Sequence, residues 1–125
     1  MATASEVLKL AESYIGVKEN PPYSNNVIFN THYYGGPVND KNLHWCVAFV
    51  WDIFRLAGAS GLFYGGKKTA SCGTLWAYHK GQGQAVTDFQ PGDVVFFDFS
   101  GKRSRTEHVG IVEKVEGGYI TTIDG

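Results

Sequence analysis

Two residues of this chain, Cys46 and His108, have the types and positions that predict nucleophilic chemistry. Cys46 lies in segment 44–52, where a loop is predicted to turn into an amphipathic helix. The free amide hydrogens and the positive dipole end of a helix start stabilise a thiolate, which is the nucleophilic form of cysteine. His108 begins the strand-like run 108–112, and imidazole titrates in the range needed to move a proton between a thiol and a leaving amine. The sequence therefore predicts a Cys–His catalytic pair.

The other three histidines are less well placed for this role. His44 lies two residues before the thiol and would have to fold back to reach the sulfur, whereas His32 and His79 lie in polar, turn-rich surroundings. His108 is therefore the predicted general base.

A third polar group should orient the imidazole from its far side, and the candidate is Asp124 on the next predicted strand. Side chains alternate along a strand, so the loop length decides which residues share a face. A strict two-residue turn at positions 117–118 would pair Ile111 with Asp124 and put Asp124 on the face opposite His108. We therefore predict a three-residue loop or a compensating bulge, either of which makes Asp124 the same-face diagonal neighbour of His108.

The elements that must position these residues follow from local patterns. Apolar residues at helical spacing predict a first helix, with Thr3 and Glu6 spaced as a capping box and Gly16 ending it. Turn-forming residues predict one long loop over 20–42, which we interpret as a wall of the cleft. The further elements are a helix from Trp45 or Cys46 to Ala57, a short helix over 71–80, and strands over 94–97, 108–115 and 119–124. The apolar positions of the first helix are Val7, Leu8, Ala11, Tyr14 and Ile15.

Helices followed by strands predict an α+β fold, with N-terminal helices packed on an antiparallel β-sheet. The 125 residues, 43% of them hydrophobic, fit a single domain over 1–125. Eleven basic and 12 acidic residues give a net charge of −1, which argues against nucleic acid or an anionic membrane as a partner. The chain has no recognisable signal peptide or membrane-spanning run, so we expect synthesis in the cytoplasm. Oligomeric state is left open, and Cys46 and Cys72 are interpreted as free thiols in preference to a disulfide.

Four sequence blocks, in this order, resemble the CHAP domain (cysteine, histidine-dependent amidohydrolase/peptidase) of the papain-like NlpC/P60 superfamily, which is common in phage endolysins and bacterial autolysins. They are 45–50 around the thiol, 91–97 entering the sheet, 108–112 and 123–125. The resemblance implies a papain-like fold, with Cys46 as nucleophile, His108 as base and then acid, and Asp124 as third member. Family members usually continue with Asn and further strands after this last block, so we expect a fragment of a longer protein with its terminal strands truncated.

By the same resemblance, the substrate is peptidoglycan and the site of action is the bacterial cell wall. The bond is an amide, cleaved by an endopeptidase or an N-acetylmuramoyl-L-alanine amidase activity. Trp45, Tyr34 and Asp98 are candidates for lining the cleft, although aromatic residues of small domains more often belong to the core. No cofactor is expected, and no metal, because Asp40 is the only carboxylate between Glu19 and Cys46.

Three other interpretations use the same residues. A zinc site from His44, Cys46, Cys72 and His108 has the right ligand atoms but lacks the close paired spacing of structural sites. A non-catalytic cell-wall binding module would not need a thiol, an imidazole and a carboxylate together. A cysteine acyltransferase would use the same pair while excluding water.

Overall fold

The computed structural model describes residues 3–97 and 108–125. These residues form helices followed by an antiparallel sheet with strand order β1-β2-β3, which confirms the predicted α+β class. The helices are α1 (Ala4–Ser13), α2 (Ile28–Tyr34), α3 (Cys46–Leu56) and α4 (Cys72–Gly81); the strands are β1 (Val94–Phe97), β2 (His108–Glu116) and β3 (Tyr119–Asp124). Two short 3₁₀ turns, Ser60–Leu62 and Tyr64–Gly66, connect α3 to α4.

The first helix begins as predicted and ends earlier than its apolar pattern. The Thr3 hydroxyl accepts a hydrogen bond from the backbone N–H of Glu6 at 3.2 Å, which satisfies one of the unpaired amides of the first turn. Val7 and Ala11 are buried, but α1 ends at Ser13 and Ile15 is 65% exposed. Ile15 is therefore not a core residue, because the chain has left the helix before reaching it.

The segment predicted as one long loop contains a helix, α2, so that prediction was wrong over 28–34. Seven residues are too few for a helix to be stable by itself, and packing supplies the stability. The Phe29 ring stacks on Trp45 at 5.7 Å and contacts Phe49 edge-on at 4.9 Å. The residues that Phe29 contacts are distant from it in the sequence. Local composition therefore did not indicate α2.

The side chain of Asn30 ties the two ends of this segment together. Asn30 is fully buried, and its Nδ2 donates to the backbone oxygens of Asn25 at 2.9 Å and Leu43 at 2.8 Å. The second bond fixes the chain three residues before Cys46. The hydrogen bonds of Asn30 therefore fix the C-terminal end of the segment 20–42 close to Cys46.

The central helix α3 packs on strand β2 and forms the middle of the core. Its start at Cys46, and its end at Leu56 with Gly58 in the left-handed conformation (φ 76°), confirm the predicted bounds. α4 likewise begins after Ser71, whose hydroxyl accepts from the Thr74 amide at 3.2 Å. The buried core residues of α3 and the sheet are Val47, Phe49, Val50, Ile53, Val109, Ile111 and Ile123.

The register of the β2–β3 hairpin confirms the predicted compensating bulge. Gly117 and Gly118 form a two-residue turn between Glu116 and Tyr119, and the pairing then shifts at Glu113. Beyond the bulge Gly110 pairs with Asp124. His108 lies two residues before Gly110 on the same strand. The bulge therefore puts Asp124 on the same face of the hairpin as His108.

Candidate active site

Cys46 is the first residue of α3, and its thiol is partly buried. A hydrogen bond with the Cys72 thiol is the largest influence that lowers the pKa of Cys46, to about 6, against the opposing effect of burial. The charge and ring of His108 and the backbone N–H of Val47 lower it further. A large share of Cys46 is therefore thiolate at neutral pH, as a nucleophile requires.

The start of α3 is held in place from two sides. The ring of Trp45, the residue before the thiol, stacks on Phe29. On the other side Gly125 lies so close that a Cβ at that position would come within 2.7 Å of the Trp45 carbonyl oxygen and of the Phe49 Cβ. The end of β3 therefore fits against the α3 start only because residue 125 has no side chain.

His108 and Asp124 are joined by a hydrogen bond from Nε2 to Oδ2 at 2.9 Å. Their side chains are 23% and 29% exposed, so the pair lies at the edge of the core within reach of solvent. Because Nε2 faces Asp124, Nδ1 is the ring nitrogen that can exchange a proton with the Cys46 thiol. The hairpin register thus brings the Asp124 carboxylate to the His108 imidazole, as predicted.

Gly110 makes the His108–Asp124 contact possible. It is the residue that pairs with Asp124, and the aspartate side chain crosses the place where a Cβ of residue 110 would be. Such a Cβ would overlap the carboxylate oxygen Oδ1 and lie 2.8 Å from Cγ. Because Gly110 has no side chain, the Asp124 carboxylate can reach the His108 ring.

Cys72 also lies at this site, although the sequence had suggested it only as a possible disulfide partner or zinc ligand. Its Sγ lies 3.7 Å from Sγ of Cys46, and both cysteines are free thiols. The hydrogen bond with Cys46, followed by burial and the neighbouring negative charge, raises the pKa of Cys72. A signal was present in the sequence, because Ser71 is a typical N-cap and puts Cys72 at a helix start, as with Cys46.

The weaker candidates lie in other surroundings. Trp45 packs against the core, as its stacking on Phe29 shows. The Tyr34 ring contacts Tyr33 at 4.7 Å, and Tyr33 contacts Trp51 in the middle of α3, five residues beyond the cysteine. Asp98 lies outside the described residues.

The remaining histidines have other partners. His79 accepts from the Tyr64 amide at 3.1 Å, and its Nδ1 lies 2.5 Å from Gln84 Oε1, so it joins the end of α4 to its flanking loops. His32 pairs with Asp52 on α3. His44 is exposed beside the α3 start. Among residues 3–97 and 108–125, only His108 of the histidines interacts with the Cys46 thiol.

A cavity of about 900 Å³ lies apart from these groups, between α4, β1 and the segment that joins them. Trp76, Phe89 and Phe96 line it, and Cys46, His108 and Asp124 do not. This cavity is therefore not the candidate active site, because neither the Cys46 thiol nor the His108 imidazole lines it.

Two further properties concern the part of the chain that the structure describes. No group of three or more His, Cys, Asp or Glu side chains there is arranged to hold a metal ion. No helix there has the length and apolar character needed to cross a membrane. The four-ligand zinc interpretation therefore gains no support from the described residues.

Comparison with known proteins gives one match. The family model described as CHAP domain matches residues 38–125, well over half of the chain. The matched range includes Cys46, Cys72, His108 and Asp124. No curated protein and no solved structure matches the chain.

Proposed function

This chain belongs to the CHAP domain family, and we propose that it is a peptidoglycan hydrolase that cleaves an amide bond with Cys46 as nucleophile. The observation that carries the proposal is the convergence of three groups of the matched range. A thiol with a lowered pKa starts α3, an imidazole interacts with it, and a carboxylate lies 2.9 Å from the far side of that imidazole. This is the arrangement of a nucleophile, a base and an orienting group.

The finer assignments of fold and place follow from family membership. We assign the chain to the papain-like NlpC/P60 architecture, in which a helix bearing the nucleophile packs on an antiparallel sheet bearing the base. The packing of α3 on β2 supports this assignment. We also propose that the protein acts at the bacterial cell wall, as endolysins and autolysins do.

In the proposed acylation step the Cys46 thiolate attacks the carbonyl carbon of the amide. The electron pair of the carbonyl moves to oxygen, and the backbone N–H of Cys46 at the α3 start stabilises this oxyanion. His108 then gives its proton to the departing nitrogen as the C–N bond breaks. The products of this step are a free amine and a thioester on Cys46.

In deacylation His108, now neutral, accepts a proton from water as the water oxygen attacks the thioester carbonyl. The tetrahedral intermediate collapses with expulsion of the Cys46 thiolate, which returns the enzyme to its starting ionisation state. Asp124 stays ionised throughout and holds the imidazole ring in the orientation both steps need.

The test is mass spectrometry of the soluble products released from purified peptidoglycan by the chain and by Cys46→Ala. We expect the chain to release fragments with new amino termini, and Cys46→Ala to reduce the release by at least about 10³-fold. Fragment masses distinguish an endopeptidase from an N-acetylmuramoyl-L-alanine amidase. An added amine that appears in the products would instead identify an acyltransferase.

The proposal fails if folded protein binds peptidoglycan and releases nothing. That result would make the chain a wall-binding module. Release that persists in Cys46→Ala would equally overturn the assignment of the nucleophile.

A further inference from the structure

We propose that Cys72 is a positioning residue for the nucleophile, and that its thiol keeps its proton and donates an S–H hydrogen bond to the Cys46 thiolate. The inference rests on the proposed function for the role of Cys46 and extends it with a fourth residue. The four blocks of sequence that resemble the family do not include Cys72, and the three-residue mechanism does not use it.

The geometry behind this inference is the convergence of two helix starts. Cys46 is the first residue of α3 and Cys72 is the first residue of α4, and their sulfur atoms lie 3.7 Å apart. The two residues are 26 positions apart in sequence, so the tertiary structure, and not local chain geometry, brings the two helix starts together. A thiol is a weak donor, but a thiolate acceptor strengthens the bond because the acceptor carries a full charge.

The surroundings of the two sulfurs decide which one carries the charge. Besides Cys72, the Cys46 thiol meets the His108 imidazole and the backbone N–H of Val47, and both favour the thiolate. Among the described groups, the backbone amide of Cys72 itself is the one influence that favours its ionisation, and burial and the charge on Cys46 oppose it. The proton that the two thiols share therefore stays on Cys72.

Among the described residues, the ionisable groups that act on Cys46 are Cys72 and His108, and the one that acts on Cys72 is Cys46. The lowered pKa of Cys46 and the raised pKa of Cys72 agree with this division. The hydrogen bond stabilises the charged form of the nucleophile without adding a second base. Its loss should therefore change the pH dependence of Cys46 more than the binding of substrate.

The experiment measures the ionisation of Cys46 by its rate of alkylation with iodoacetamide from pH 4 to pH 9. A phosphine reductant keeps both thiols reduced, and peptide mass mapping assigns the adduct to residue 46. Cys46→Ala identifies the background signal. We expect a midpoint near pH 6 for the unmodified chain and a rise of about one pH unit in Cys72→Ala, which is a tenfold loss of thiolate below that midpoint.

Two matched variants separate hydrogen bonding from structure. Cys72→Ser keeps a donor at the same place and should recover at least about half of the shift, since a hydroxyl donates to a thiolate as well. Ser71→Ala removes the N-cap of α4 but leaves both sulfur atoms, so its midpoint should stay within about 0.3 unit of the unmodified chain. Equal shifts in Ser71→Ala and Cys72→Ala would assign the effect to the fold of α4 and overturn the proposal.

An unchanged midpoint in Cys72→Ala would also overturn it. If that variant does not fold, thiolate absorbance at 240 nm in the unmodified chain decides the question. One thiolate per chain from pH 7 to pH 9 is expected, and two would contradict the division of charge.

These measurements do not require turnover. A chain that fails to degrade peptidoglycan but shows the shifted midpoint would refute the proposed function and leave the role of Cys72 intact. If the chain is active, the acid limb of kcat/KM should move with the alkylation midpoint, and KM should change little.

Discussion

Two histidine–aspartate pairs occur among the residues that the structure describes, and they have the same functional groups in different surroundings. His32 on α2 pairs with Asp52 on α3, with 2.5 Å between Nδ1 and Oδ2. His108 on β2 pairs with Asp124 on β3, with 2.9 Å between Nε2 and Oδ2. Distance between the partners therefore does not distinguish a structural pair from a reactive one.

What differs is the remaining environment of each pair. Asp52 is completely buried and also binds Arg55, whose Nε lies 2.9 Å from Oδ1. Asp52 therefore binds both His32 and Arg55, and its contact with His32 joins α2 to α3. Asp124 is 29% exposed, and within the described residues its ion pair is with His108 alone.

The His108 ring also interacts with the Cys46 thiol. We therefore propose that the neighbouring thiol, and not the Asp–His contact itself, makes the His108 pair the reactive one.

The strongest test of this comparison replaces each histidine in turn. We expect His108→Gln to lower kcat by at least about 10³-fold, because among the described residues His108 is the histidine that interacts with Cys46 and can accept and return the proton. His32→Gln should keep kcat within about twofold and lower the free energy of unfolding by about 1–2 kcal/mol, since one bond to buried Asp52 is lost. Peptidoglycan turnover and thermal unfolding measure the two effects, and a large loss of activity in folded His32→Gln would contradict the division.

The two aspartates should show the opposite division between activity and stability. Asp124→Ala should lower kcat by about 100-fold through a misoriented imidazole, and change the unfolding free energy by less than about 1 kcal/mol because the pair is partly exposed. Asp52→Ala should cost about 2–3 kcal/mol of stability, since it leaves His32 and Arg55 without their shared acceptor. Urea unfolding followed by kinetics on the folded fraction separates these outcomes. Similar kinetic losses in both variants would show that the pairs are not distinct.

A smaller kinetic effect is expected from the residue beneath the reactive pair. Gly110→Ala puts a methyl group where the Asp124 carboxylate lies, so the carboxylate must leave His108 and kcat should fall by about 10–100-fold. Gly36→Ala is the matched control, because a Cβ there meets nothing within 4 Å. An unchanged kcat in Gly110→Ala would show that the activity of His108 does not depend on its contact with Asp124.

The pH dependence gives the finest distinction. Because the pKa of Cys46 is lowered to about 6, kcat/KM should fall as the pH decreases below about 6 and the thiolate gains a proton. His32→Gln should leave that midpoint unchanged, because His32 is not among the groups that act on Cys46. Initial rates across pH 4.5–8 measure it, and a displaced midpoint in His32→Gln would link the two pairs electrostatically.

Local sequence patterns were sufficient for the features that depend on neighbours along the chain. The periodicity of α3 predicted that helix, and the spacing of Thr3 and Glu6 predicted the start of α1, because helix caps act within one turn. Hairpin parity required either a three-residue loop or a bulge if Asp124 was to share a face with His108, and a bulge is present at Glu113. The family blocks gave the order of nucleophile, base and carboxylate, although the sequence did not specify where in the hairpin the irregularity would be.

Features that depend on distant contacts could not be predicted in this way. Helix α2 exists because Phe29 and Asn30 contact residues 13–20 positions away, and its own seven residues show no sufficient pattern. The buried Asp52 cluster joins two helices, and nothing near either residue in sequence indicates the other. Ile15 kept the helical spacing after the helix had ended.

The sequence by itself determined which residues carry reactive groups, where Cys46 stands at a helix start, and which strand parity allows Asp124 to reach His108. Only the tertiary structure decided that Cys72 meets Cys46, that Asp124 crosses Gly110, and that His32 is occupied by Asp52. The physical reason is the distance along the sequence over which each interaction acts. Helix caps and side-chain periodicity act over a few residues, whereas the approach of two sulfur atoms 26 residues apart depends on the tertiary structure that brings the starts of α3 and α4 together.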